Sequence, residues 1–176
     1  MGEEVDRRIK TGDFIVLSSV EEGDRAFLAS GVGLAENDVV AVAGARTRRC
    51  VFEVHPMTYG VSWQTGEGRE LQGDDTDLRM REGALQEKEQ REAILSQLDG
   101  KSVRYGQVVQ LVHVHSGNKF LAGEEGEAAS LEQTCSKVFF RTGAGNKCWF
   151  KFMPVDEGAQ EGGLMKVGAG VALLHV

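Results

Sequence analysis

The strongest constraint on the fold is a stretch that occurs three times. "IKTGDFIVL" starts at Ile9, "VRYGQVVQL" at Val103 and "MKVGAGVAL" at Met165. Each runs apolar, basic, any residue, glycine, any residue, then an apolar segment closing on leucine. Gly12, Gly106 and Gly168 align, as do Ile15, Val109 and Val171, and then Leu17, Leu111 and Leu173. The match continues downstream: "FLAS" at Phe27 answers "FLAG" at Phe120, and "CVFEVHP" at Cys50 answers "CWFKFMP" at Cys148. Self-similar units place equivalent residues in equivalent core positions, so the repeat has to be read before any single motif.

Alternation in Phe14–Val20 and Gln107–His115 is close to period two, with glycine-rich turns between runs, and predicts short strands. Units of about 40–45 residues with four strands fit propeller blades or the lobes of a β-trefoil. There is no Trp-Asp blade signature, and three copies of the opening stretch favour an all-β fold of the β-trefoil type. The aligned glycines are expected in turns that a Cβ would hinder.

Gly106 and Gly168 are 62 residues apart, Gly12 and Gly106 94, so the first unit carries 32 extra residues. They fall at about 66–100, a segment with ten acidic and five basic residues that supplies −5 of the chain's net −7. Leu78, Leu85, Ile94, Leu95 and Leu98 form a thin apolar stripe, Glu87 and Arg91 a favourable i,i+4 pair, and Asp99-Gly100 a stop. This predicts a helical arm projecting from the β body. The units then cover about 9–60, 103–156 and the start of a third at 165–176, within one domain over 1–176. Because the third unit has only its first strand, the third lobe reads as truncated, and the chain is expected to be a piece of a longer polypeptide, the alternative being that another chain completes it.

An acidic net charge speaks against a nucleic-acid surface, which needs a basic stripe. No apolar run reaches the ~20 residues of a membrane helix, and the charged start "MGEEVDRRIK" has no secretory h-region. Cys50, Cys135 and Cys148, an odd count without C-x-x-C, read as reduced thiols of a cytosolic setting. Cys148 lies beside Lys147, which suggests an activated nucleophile. Cys50 holds the same place in the first unit, however, and in a strand Lys147 and Lys151 would face away from it, so a buried structural cysteine is expected. Phe150 and Phe152 should share its face, with Trp149 and Lys151 opposite.

His113 and His115, spaced i,i+2, read as neighbours on one strand face, and His175 aligns with His113. Two such histidines can bind a metal, but no carboxylate or cysteine lies at ligand spacing. A structural pair is expected, with no metal and no cofactor. "GVGLAE" and "GAGNKC" lack the features of nucleotide-binding loops and read as hairpin turns. Glu124, Glu125 and Glu127 read as a solvated loop. No catalytic residue is expected, and the chain reads as a non-enzyme.

Together, "IKTGD" (9–13), "CVFEVHPMTYG" (50–60), "YGQVVQLVHVHSGNKFLA" (105–122) and "AGNKCWFKFMP" (144–154) closely resemble the N-terminal domain of inositol trisphosphate receptors, and ryanodine receptors less closely. The likeness covers residues 9–176, including the helical insertion. It implies a β-trefoil with a helix-turn-helix arm, on the cytosolic face of an endoplasmic-reticulum-type membrane, within a tetrameric calcium-release channel. By this resemblance the module would be the family's suppressor domain. It would bind no inositol trisphosphate itself, lower the ligand affinity of the adjacent binding core, and couple binding to gating.

The resemblance also implies partner contacts. The loop after "FLAS" would meet the binding core through Val32, Leu34 and Ala35. His115 stands where the family has a basic residue. Asp156, with Glu157 beside it, stands where the family keeps an aromatic, which changes that contact from apolar packing to charge pairing. The alternative is a stand-alone MIR-like trefoil that binds a ligand or glycan; it is disfavoured by the missing secretory signal and by the arm.

Overall fold

Alternating apolar residues decide where the strands run. The computed structural model describes residues 8–19, 25–31, 38–44, 46–57, 89, 92–93, 96–128 and 136–176. Nine strands follow in order: β1 (Phe14–Ile15), β2 (Ala26–Ser30), β3 (Val39–Ala43), β4 (Phe52–Pro56), β5 (Val108–His113), β6 (Lys119–Ala128), β7 (Ser136–Arg141), β8 (Phe150–Pro154) and β9 (Val171–His175). Every pairing is antiparallel. The described body is thus all-β. Residues 89, 92–93 and 96–98 are helical; the rest of the expected arm lies outside the described residues.

β5 is the hub of the sheet. β4 borders it along one edge, while β8 pairs with its start and β6 with its end on the other. It is consequently buried on both faces from Val109 to His113. β1 extends the sheet beyond β4, β9 beyond β8 and β7 beyond β6, and β2 and β3 form a separate hairpin. The strand expected over Phe14–Val20 is only two residues long, with Ser18 rejoining the backbone through a bridge to Phe27.

The three copies of the opening stretch converge on one point. The Ile9 N–H donates to the Met165 carbonyl (3.0 Å), the Met165 N–H to the Val103 carbonyl (3.0 Å), and the Val103 N–H to the Ile9 carbonyl (2.8 Å). The bonds close a cycle around a pseudo-three-fold axis, and all three side chains are buried in the main core. The same turn follows each: Asp13, Gln107 and Ala169 donate their N–H groups to the carbonyls of Lys10, Arg104 and Lys166. Gly12, Gly106 and Gly168 sit in these turns at φ +87°, +78° and +83°, which an L-side chain adopts only at a cost.

The next step matches in two units. The Gly12 N–H donates to the Val54 carbonyl and the Gly106 N–H to the Phe152 carbonyl, tying each turn to β4 or β8. Gly100 and Gly162 then fold back to donate to the carbonyls of Thr11 and Tyr105, which are both buried. Val167, the third-unit counterpart of Thr11 and Tyr105, is 66% exposed. The helical segment ends at Asp99-Gly100, where Gly100 has φ +72°, as a left-handed helix stop requires.

Equivalent residues also build equivalent satellites. Phe27, Ala29 and Cys50 form one small cluster; Phe120, Ala122 and Cys148, with Val112, form another. The main core gathers Phe52, Val54, Val109, Leu111, Leu121, Phe140, Phe150 and Phe152, with Ile15, Leu17, Val171 and Leu173 packed at its margin. Replacing the fully buried Phe152 with alanine should cost about 3–5 kcal/mol, read as a lowered urea midpoint at an unchanged slope.

Candidate functional site

The two aligned cysteines lie in 3-10 turns, Arg48–Cys50 and Asn146–Cys148, one residue ahead of β4 and β8. The strand argument for Cys148 is therefore corrected: the thiol is turned away by a helical turn, not by strand alternation. The Cys50 and Cys148 N–H groups close these turns onto the carbonyls of Thr47 and Gly145. Phe150 and Phe152 do share the inner face of β8, but they enter the main core while Cys148 plugs its satellite. "GAGNKC" is likewise no hairpin turn, since β7 and β8 pair with other strands.

Burial pushes the Cys148 thiol above its usual range, and this outweighs the opposing Gly145 hydrogen bond and the Arg141 charge. A buried thiol with a raised pKa is a poor nucleophile. In native protein both Cys50 and Cys148 should react with a disulfide reagent far more slowly than in urea, at a rate set by opening of the fold.

Each cysteine turn is held by a histidine from the next unit. His113 Nε2 lies 2.7 Å from the Arg49 carbonyl, and His175 Nε2 lies 3.0 Å from the Lys147 carbonyl. A carbonyl only accepts, so in each ring the proton sits on Nε2. The rings pack on equivalent phenylalanines: His113 on Phe52 with centroids 5.3 Å apart, His175 on Phe150 at 5.2 Å. Phe140 also packs on His113, with centroids 4.7 Å apart, and stacks on Phe52 at 6.0 Å, so the three rings form one cluster. Gly123 makes room for His175, because a Cβ there would lie 2.8 Å from the ring.

His113 and His115 do not share a strand face. β5 ends at His113, and a 3-10 turn over Val114–Ser116 carries His115 to the surface. Desolvation lowers the His113 pKa below 6.5; its Arg49 hydrogen bond opposes this, and His115 adds to it. His113 Nδ1 is buried without a hydrogen-bond partner, so a second proton there would find no acceptor. The unfolded chain thus binds more protons just below pH 6.5. The stability held above that pH should fall as pH drops through the lowered pKa. Urea midpoints across pH 7.5–5 should show a smaller loss for His113→Gln than for wild type.

The positions implied by the family resemblance are dispersed. Val32, Leu34 and Ala35 lie outside the described residues, in the connection between the paired strands β2 and β3. Asp156 and Glu157 are exposed in the turn after β8. Asp156 Oδ2 accepts the Gly170 N–H at 2.7 Å, so this carboxylate is partly engaged in joining the second and third units. The expected loop at Glu124, Glu125 and Glu127 is instead part of β6, where Glu124 pairs with Lys147. Lys147 holds the Glu124 carboxyl below its usual range.

A cleft of about 230 Å³ opens between the root of the helical segment and β4, lined by Gly12, Glu53, Val54, His55, Pro56, Ser96 and Asp99. It is smaller than the roughly 300–1,000 Å³ of small-molecule pockets, and His55 Nε2 is already 3.2 Å from Glu53 Oε1. Among the described residues, no three His, Cys, Asp or Glu side chains gather to hold a metal, and no helix is long and apolar enough to cross a membrane. The histidine clamps are what motif reading missed. Their signal was present in the alignment of His113 with His175 and of Cys50 with Cys148, but which residues meet depends on the fold.

Residues 4–176 match the sequence profile of the inositol 1,4,5-trisphosphate/ryanodine receptor family. The chain belongs to this family of receptor channels. It is 27% identical over 184 aligned positions to the inositol 1,4,5-trisphosphate receptor itr-1 of Caenorhabditis elegans. That alignment takes in 93% of this chain and 6% of the relative's length.

Proposed function

We propose that the chain is the regulatory suppressor module of an intracellular ligand-gated calcium-release channel. The observation that carries this reading is the family match over residues 4–176, nearly the whole chain. In this reading the body is one β-trefoil-type domain with a helical arm, on the cytosolic side of an endoplasmic-reticulum-type membrane, in a tetrameric channel. It binds no inositol trisphosphate and does no chemistry; it acts on the inositol trisphosphate-binding core of its own or a neighbouring subunit. The repeated hydrogen-bond cycle at Ile9, Val103 and Met165 supports the trefoil part of the reading.

Suppression is a coupling free energy: contacts that favour a low-affinity arrangement must be broken or rearranged when ligand binds. The usual allosteric scale is about 1–3 kcal/mol, or 5–150-fold in affinity. Val32, Leu34 and Ala35 supply the apolar part of the contact, His115 a pH-dependent cation, and Asp156 with Glu157 an acidic one. In a polypeptide that includes the binding core, Leu34→Ser should raise inositol trisphosphate affinity in a radioligand assay, by up to that factor. Unchanged affinity would remove Leu34 from the contact.

A further inference from the structure

Opening and closing strands alternate across the main sheet. In order they are β1, β4, β5, β8 and β9; β1, β5 and β9 open the three units, and β4 and β8 close the first two. Each closing strand lies between the opening strand of its own unit and that of the next. Among the described residues, β1 pairs with β4 alone and β9 with β8 alone, so the row ends in two open edges. The hydrogen bond from Ile9 to Met165 brings the roots of these two edge strands together.

Burial changes from the middle of this row to its ends. Val109 and Leu111 on β5, flanked by β4 and β8, are fully buried. Their counterparts Ile15 and Leu17 in the first unit, and Val171 and Leu173 in the third, pack at the margin of the same core and are only partly buried. On the other face, Val112 is 2% exposed and its counterpart Leu174 51%. Phe14, on the β1 edge, is 66% exposed. Open strand edges beside half-covered apolar side chains are a template for another strand.

The register of the two closing strands says what fits. Within a unit, Phe52 faces Ile15 and Phe150 faces Val109. Towards the next unit, Phe52 faces His113 and Pro56 faces Val109; in the same way Phe150 faces His175 and Pro154 faces Val171. Both strands read Cys-x-Phe-x-apolar-x-Pro, over 50–56 and 148–154. Their phenylalanines come 40 and 44 residues after the turn glycines Gly12 and Gly106.

We propose that the β1 and β9 edges form a slot for one further strand of this pattern, supplied by polypeptide that follows β9 at the same interval. Its aromatic residue faces Val171 on one side and Ser19 on the other, and its proline faces Ile15. The strand gains ladder hydrogen bonds on both edges, and its alternate side chains cover the half-buried core residues. A second copy of this chain is a poorer occupant, because its own strands of this pattern, β4 and β8, are already paired on both edges. Ser19 stands where the other two units have His113 and His175, and its hydroxyl accepts the Ala26 N–H at 3.3 Å. This joint therefore has no imidazole clamp and depends on the ladder and the aromatic residue. The inference rests on the three-fold repeat and is independent of the suppressor role.

The test extends the wild-type chain past Val176 with a Gly/Ser linker of about 30 residues, flexible enough to span the two edges, followed by a copy of residues 50–56. A control tail carries Phe52→Asp within the copy. The first tail should raise the urea midpoint and steepen the slope, because more surface is buried on folding. It should also slow hydrogen exchange of the amides in 15–17 and 171–175 by about tenfold or more. The control tail should leave both as in the chain without a tail. The proposal is overturned if the first tail changes neither measurement, or if the control tail changes them equally. It is also overturned if the chain without a tail sediments as a dimer that the first tail leaves intact, since the slot then belongs to a second copy.

Discussion

Three backbone hydrogen bonds, from Ile9 to Met165, Met165 to Val103 and Val103 to Ile9, hold together segments from the beginning, middle and end of the chain. They lie over buried side chains, where an unpaired backbone group would cost free energy that folding can ill spare. Because the bonds form a cycle, each segment serves as both donor and acceptor, and losing one leaves the other two without their mutual alignment. The cycle sets where each glycine turn begins. Each turn in the first two units then sets the register of the strand beyond it, through the carbonyl of Val54 or Phe152.

The units are also joined away from the axis. A histidine at the end of β5 or β9 reaches back to the carbonyl before a cysteine and packs on the phenylalanine two residues after it. Cysteine, phenylalanine and histidine thus act together: the small thiol fills the satellite cluster, the turn it ends presents a carbonyl, and the imidazole satisfies that carbonyl. This gives Cys50 and Cys148 a packing role in place of the nucleophilic one suggested by Lys147. Lys147 instead pairs with Glu124 on β6. Such joints decide how rigidly one unit's surface is held relative to the next.

Much of the fold was legible in the chain. The aligned glycines have the positive φ their position called for, the aligned aliphatic residues share one core, and Asp99-Gly100 ends the described helical residues. Site-level reading was less successful where a turn interrupted a strand. The i,i+2 spacing of His113 and His115 implies a shared face only in extended backbone, and β5 stops between them. Glu124 looked like part of a loop by composition, yet β7 supplies Lys137 as its cross-strand partner. Asp156 gained a definite partner in Gly170 only when the third unit's first strand was in place.

The sequence by itself determined which stretches repeat, their equivalent core positions and the family, because repetition and spacing are properties of the chain alone. Only the tertiary structure decided which residues meet between units. The hydrogen-bond cycle combines Ile9, Val103 and Met165, and each histidine clamp spans two units. Contacts of that kind depend on long-range register, which hydrogen bonds between distant strands settle and no local pattern encodes.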